Sequence, residues 1–562
     1  MKKIILQFLL YGIFVNVNAQ LSTNEFPVSF NVNMKTRNPI STIIMPELDM
    51  KRIEAEDKED ELHEMPPRFG YPHKVNYNLA NSGVWMVLPN GDKLWQLNIM
   101  CPNALSVNFC YNKFWIPEGG KFFVYSKDRK HSIGAFTSKN NVGDSITVKC
   151  FATEPVYGND MILEYYQPKE VTSDAIISIE YVVHGYKNIS HGGRPLGDAG
   201  SCMVNINCEE GNNWQNEKKA VARVILQGCR FCTGSLINTT SLSQSPFFLT
   251  ANHCTSDLGD ASANTSLNNF TLFFWNYEAP GCENISTSPN SYYTYGATII
   301  ANNPASDFAL LRLIEDPMNH QRCTSLYYLG WDNSGLSGEA GVCIHHPKGD
   351  VKKISTVYET PDNSFYSPGV NGGSHWRVLW KETTNGYGTE EQGSSGSPLF
   401  NSAHKIIGQL HRGTCRGCNN LSGFSRYGKF NVSWTGNNND SICRRLNCWL
   451  DSLDTGIQTM EGLLVILADS IMNMNQQIYG NIRVNNNAQL TIQSEIELMG
   501  NSQVIVESGS KLIIDGGTLS NVELVLKAGS SLQITNGGIV DTRNGFVAPV
   551  GAIVDITHGQ IL

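Results

Sequence analysis

The stretch Phe247-Phe248-Leu249-Thr250-Ala251-Asn252-His253-Cys254 decides the fold. A short apolar run reads as a buried strand, and it ends on a histidine backed by a cysteine. An imidazole moves protons at neutral pH, provided a second group fixes its orientation. Such a group stands in Ser306-Asp307-Phe308-Ala309-Leu310-Leu311, where a carboxylate directly precedes another apolar strand. A charge there is unfavourable unless something accepts it, and the Nδ1–H of a histidine does so. The third piece is Glu390-Glu-Gln-Gly-Ser-Ser-Gly-Ser-Pro398, where small residues crowd around Ser395. A nucleophilic serine needs that freedom to approach a carbonyl, and the N–H groups of Gly393 and Ser395 are placed to meet the developing oxyanion.

Each of the three pieces has an ordinary structural reading when taken alone. Together their chain order, His253, Asp307, Ser395, is that of the chymotrypsin arrangement, and the three are read as a catalytic set. The pattern requires no cofactor and no metal. His345-His346 point to opposite faces of a strand and are read as structural.

Working outward, the 562 residues are too many for one domain. Charged residues make up 17% and hydrophobic ones 41%, a balance that argues against disorder. The net charge is −9 and no dense Lys/Arg cluster occurs, so nucleic acid is not an expected partner. Lys2-Lys3, the apolar run Ile4 to Val15 and the small residues of Val17-Asn18-Ala19 read as a signal peptide over 1–19. That run is too short for a membrane span, and Leu463 to Ala468 is shorter still. A secreted protein, extracellular or at the cell surface, is expected.

Export puts the fifteen cysteines in an oxidising space where disulfides persist. Cys229 and Cys232 form a C-x-x-C, but no second such pair stands at zinc-finger spacing. Structural disulfides are therefore preferred to a metal site. Cys323 with Cys343, Cys443 with Cys448, and Cys101 with Cys110 are read as further pairs, leaving Cys150 over.

Four units follow from the composition. After the leader, 20–196 is a propeptide with a β-rich unit at about 70–185, where strands alternate with turn signals such as Pro89-Asn90-Gly91-Asp92. Its charged stretch Met50 to Glu64 reads as a solvated helix or linker. The catalytic motifs lie in 197–463. The segment 475–562 repeats one pattern at Val484, Val506 and Leu526, starts 22 and 20 residues apart, and is read as a β-solenoid rather than a stack of hairpins.

The region from Gly197 to about Leu463 resembles the bacterial lysyl endopeptidase family. The likeness is carried by Gly200-Ser-Cys202, Cys232-Thr-Gly-Ser-Leu236, Phe248 to Cys254, Trp275-Asn-Tyr277, Gly330-Trp-Asp332, Ile344-His-His-Pro347, Gly393 to Pro398, Gly408-Gln-Leu-His411, Tyr427-Gly428 and Ser433-Trp-Thr-Gly436. It implies a mainly β chain built on a chymotrypsin-like double β-barrel, an N-terminal β-sandwich prosegment and serine endopeptidase activity on protein or peptide substrates. It also implies disulfides Cys232–Cys254 and Cys208–Cys282, with Cys202 bound to Cys415 or Cys418. Ser394 stands where trypsin-like zymogens carry an Asp, so maturation is expected to remove a covering prosegment, as in a zymogen without an N-terminal ion pair.

The resemblance also places a substrate pocket at Glu390, His411, Arg412 and Ser425. There the chain departs from the family, whose lysine selection depends on an Asp where Ser425 stands. Without that carboxylate a buried cation has no fixed partner. Arg412 replaces a glycine at the pocket mouth, Glu390 lies on its wall, and the two are candidates to pair. Lys187 is the nearest lysine before Gly200, so either another protease processes the chain or its own preference is not lysine. Specificity other than lysine is expected. The competing function is a non-catalytic surface protein that uses the protease fold as scaffold and attaches to cells through the solenoid; the intact catalytic set argues against it.

Overall fold

The computed structural model describes residues 25–31, 40, 42–63, 65–141, 148–188, 199–255, 266–285, 289–366, 372–414, 417–418, 420–438 and 441–562. The expected leader and Cys415 fall outside them.

Two sheets form the N-terminal part. One holds Lys93–Met100, Asp160–Gln167 and Lys121–Ser126, antiparallel in that order. The other runs Gly70–Asn78, Ile176–Gly185, Ser106–Trp115. Trp95, Leu97 and Leu163 of the first meet Phe109, Tyr111 and Ile177 of the second in one buried core. That core continues into the central region through Phe231, Phe274 and Tyr295, so the N-terminal part is packed onto the next unit over apolar surface.

Next comes a closed six-stranded barrel of Val221–Leu226, Arg230–Leu236, Phe247–Ala251, Phe308–Leu313, Tyr292–Asn303 and Ser266–Trp275. A ten-stranded sheet stands where the second barrel was expected, with Ala340–His345, Pro398–Asn401, Ile406–Gly413 and Ser425–Lys429 as neighbours. Phe248, Leu310, Phe400 and Ile406 belong to one core that joins the two.

The same core runs into the C-terminal segment. There the strands Gln489–Ile492, Lys511–Asp515, Ser531–Thr535 and Ile553–Ile556 pair in parallel, so Leu490, Leu512, Leu532 and Val554 lie in register. Hairpins would pair antiparallel; parallel ladders at this spacing are the coils of a solenoid. The strand Gly462–Ile466, which overlaps the apolar stretch Leu463 to Ala468, couples the two units. It pairs in parallel with Gly480–Val484 and antiparallel with Ser325–Tyr328 of the central region. Among the described residues, no helix is long and apolar enough to span a bilayer.

Among the described residues three disulfides are present, Cys202–Cys418, Cys208–Cys282 and Cys232–Cys254. The other expected pairs are not formed. Cys323 and Cys343 are both free and buried in different core clusters, Cys343 with its sulfur against the Ser397 hydroxyl. Cys101 follows a strand of one N-terminal sheet while Cys110 lies within a strand of the other. Cys443 and Cys448 are free as well, with Cys443 beside the Ser441 hydroxyl. Of the C-x-x-C, only Cys232 is bridged.

Candidate active site

Strand pairing brings the first two site residues together. Phe247–Ala251 runs antiparallel to Phe308–Leu313 with Ala251 opposite Phe308. His253 and Asp307 therefore leave adjacent strand ends. Asp307 takes a positive φ of 55°, a left-handed conformation uncommon for a non-glycine residue. Its Oδ2 lies 2.8 Å from His253 Nδ1, and its Oδ1 accepts the His253 backbone N–H at 2.9 Å. Burial alone would raise the Asp307 carboxyl, but the His411 and His253 imidazoles and the hydrogen bonds from His253 hold it below the usual carboxylate range. With Nδ1 engaged by a carboxylate, Nε2 is the ring nitrogen left for proton exchange.

Ser395 sits on the turn before Pro398–Asn401. Thr233 ties this turn to the barrel from both sides: its N–H donates to the Ser395 carbonyl at 2.8 Å, and its hydroxyl donates to the Gly393 carbonyl at 2.9 Å. Cys254, bridged to Cys232, brings its sulfur to 3.8 Å from the Ser395 carbonyl. The disulfide thus holds the histidine turn against the serine turn. Gly396 has φ +83°, and a Cβ there would fall 2.3 Å from the Thr233 carbonyl, so only glycine fits.

Ser395 and Leu410 line a cleft of about 480 Å3 together with Glu390, Gln392, Arg412 and Gly413. The Glu390 carboxyl is buried, hydrogen-bonded to Ser425, and pushed up to about 8 by burial against the opposing pull of that bond. Ser425 in turn accepts the Trp380 indole N–H at 2.9 Å. Gly413 makes room for the carboxylate, since a Cβ there would lie 1.7 Å from Glu390 Oε1. Arg412 donates to the Tyr366 hydroxyl at 3.1 Å. The His411 ring lies behind the site, its Nε2 3.8 Å from Asp307 Oδ2 and its Nδ1 2.9 Å from His375 Nε2. Burial first, then the charge of His411, pushes His375 down to about 3.

His375, at the start of His375–Val378, and Tyr366, just after Asp362–Ser364, were not visible because neither stands in a recognisable motif. The N-terminal part contributes as well: Glu61, Met65 and Pro67 line the same cleft. The histidine–aspartate group also contains three atoms within 4.8 Å of one another, from His253, Asp307 and His411. The His253–Asp307 hydrogen bond and the 3.8 Å approach of His411 to the same carboxylate account for that proximity.

Residues 196–427 match the family model described as lysyl endopeptidase, C-terminal domain. A lysyl endopeptidase of Pseudomonas aeruginosa is 29% identical over 233 residues, 39% of this chain and 46% of that protein. The chain thus spans about half the length of the curated relative it matches. Among solved structures, the crystal structure of Deg5 aligns over 39% of this chain and 88% of its own, at 17% identity and a TM-score of 0.26. The family resemblance carried by the motifs is borne out by the first two matches.

Proposed function

We propose that this chain, whose residues 196–427 match the lysyl endopeptidase C-terminal domain, is a secreted serine endopeptidase acting through an acyl-enzyme. The observation that carries the reading is the His253–Asp307 pair held by Cys232–Cys254 against the Ser395 turn. Ser395 Oγ attacks the scissile carbonyl carbon while its proton passes to His253 Nε2. The amides of Gly393 and Ser395 meet the oxyanion. Collapse of the tetrahedral intermediate breaks the C–N bond as His253 returns the proton to the leaving amine. Water, activated by the same imidazole, then releases the acyl group. Asp307 keeps Nδ1–H in place and stabilises the imidazolium.

We read the preference for the residue before the scissile bond as other than lysine. Ser425 removes the family's carboxylate, and the neighbouring Glu390 is held uncharged at neutral pH by burial. A neutral side chain suits such a pocket better than a cation.

Labelling with a fluorophosphonate tests the chemistry. The expected result is an adduct on Ser395 that is absent from Ser395→Ala, together with loss of peptide hydrolysis. Labelling elsewhere, or turnover that survives the substitution, overturns it. A peptide-library profile tests the pocket; strict cutting after lysine defeats that part.

A further inference from the structure

The strand Arg230–Leu236 has an edge that bonds to two very different partners. Thr233 N–H donates to the Ser395 carbonyl at 2.8 Å. Two residues earlier, on the same side, Phe231 N–H donates to the Pro67 carbonyl at 3.0 Å. Phe69 N–H continues the ladder to the Cys229 carbonyl at 2.9 Å, and Arg68 forms an antiparallel bridge with Arg230. Residues 67–69 therefore lie antiparallel along this edge, and the segment reaches the cleft that Ser395 lines through Met65 and Pro67. An acyl-enzyme keeps the part of the substrate on the amino side of the scissile bond. A chain leaving the nucleophile in this direction follows the path of the departing amine.

Arg68 opposite Arg230 is an unfavourable pair, since like charges directly across an antiparallel ladder repel. The helix Met50–Leu62 supplies the compensation. Arg68 meets Glu56 at 3.1 Å and Asp57 at 3.0 Å, while Arg230 meets Asp60 at 2.8 Å. Arg230 also donates to the Pro66 carbonyl at 2.6 Å. Both of its hydrogen-bond partners thus belong to the N-terminal segment. Once that segment leaves, a guanidinium remains on the edge, opposite the third residue after the position of Met65.

Taking the edge Cys229–Phe231 as the leaving-group-side path usual for a chymotrypsin-like fold, we propose that Arg230 selects an acidic side chain at the third residue after the scissile bond. The inference rests on Ser395 being the nucleophile. In the precursor, residues 65–69 occupy this subsite, with Pro66 and Pro67 offering acceptors but no N–H.

The test uses the full chain, expressed and then matured by its own action or by limited proteolysis. Two peptides are compared that differ only in Glu or Lys at the third residue after the scissile bond. Kcat/KM is expected to favour the Glu peptide roughly fivefold, from attraction exchanged for repulsion at a partly exposed ion pair. Arg230→Glu should reverse the order and Arg230→Gln should bring the ratio to about one. Because each ratio is read within one protein, a general loss of folded enzyme does not imitate the result. Equal rates on both peptides, with cleavage still abolished by Ser395→Ala, overturn the subsite alone. Cleavage that persists in Ser395→Ala, or a matured chain that cuts neither peptide, overturns the nucleophile reading and the subsite with it.

Discussion

The protease region and the C-terminal coil are both built from short strands around one continuous core, yet they hold themselves together in opposite ways. In the coil, each strand pairs with its counterpart about one repeat away, as Gln489 does with Lys511. In the protease region, the chain must bring together residues separated by much more sequence. The Cys254 sulfur lies by the Ser395 carbonyl across 141 residues, and Cys202 is bridged to Cys418 across 216. The coil carries no cysteine beyond Cys448, while all three disulfides fall in the protease region. Local repetition stabilises the one; long-range covalent closure stabilises the other.

The sharpest way to break the comparison is at the long-range site. Asp307→Asn keeps the volume but removes the charge that fixes His253. Turnover is expected to fall by about four powers of ten, with the barrel still folded by circular dichroism. A drop of less than tenfold means that the histidine is positioned by something else. The coil should show the opposite response. Leu512 sits in the buried row of the parallel ladder, and Leu512→Ala is expected to cost about 2–5 kcal/mol of local stability. Hydrogen exchange should loosen in neighbouring coils first, while turnover holds. Protection lost evenly across the whole chain would mean that the coil and the protease region unfold as one unit.

How much of this was legible follows from the same contrast. The solenoid period could be read directly, because its partners lie one repeat away. His253, Asp307 and Ser395 were also legible, since each carries its own local signature. The charged stretch Met50 to Glu64, read as a solvated helix or linker, is a largely exposed helix over Met50–Leu62, but its ion-pair partners could not be read from it. Asp49 caps it, accepting from the Lys51 and Arg52 N–H groups, and only Ile53 is buried along its length. What the stretch does depends on Arg68 and Arg230, and nothing local announces those partners. Its spacing did hold a signal: Glu56 and Asp60 are one turn apart and face the same way. The false cysteine pairings failed for the same reason. Cys323 and Cys343 are close in sequence but separated into different cores, while true bridges joined residues that spacing alone does not connect.

Reduction probes the covalent half of the comparison. Cys232–Cys254 closes a short loop next to His253, and its loss is expected to cost the protease region about 3 kcal/mol. Under the same conditions, exchange protection within the coil should be unchanged. A coil that loosens in parallel would show that its stability is borrowed from the barrel through the Gly462–Ile466 strand.

The smallest effect lies in the pocket, where a single carboxyl is kept uncharged. Glu390 is buried with its proton held to about pH 8, whereas the ordinary value is 4.5. The sign follows from proton counting. Below about 4.5 both folded and unfolded chains hold the proton, and the group has no effect on stability. Between 4.5 and 8 the unfolded chain releases it while the folded chain keeps it, so stability falls as pH rises, by about 1.4 kcal/mol per unit at most. Above 8 both states are ionised and the loss is complete. Glu390→Gln removes this slope, because the amide preserves the size and the hydrogen bond to Ser425 without titrating. Urea unfolding at pH 6 and pH 7 should therefore show a wild-type decline that the variant lacks. Parallel curves for the two proteins would mean that Glu390 is already ionised in the folded state. The pocket would then hold a fixed anion in place of the family's carboxylate, and a basic residue before the scissile bond would become the better fit.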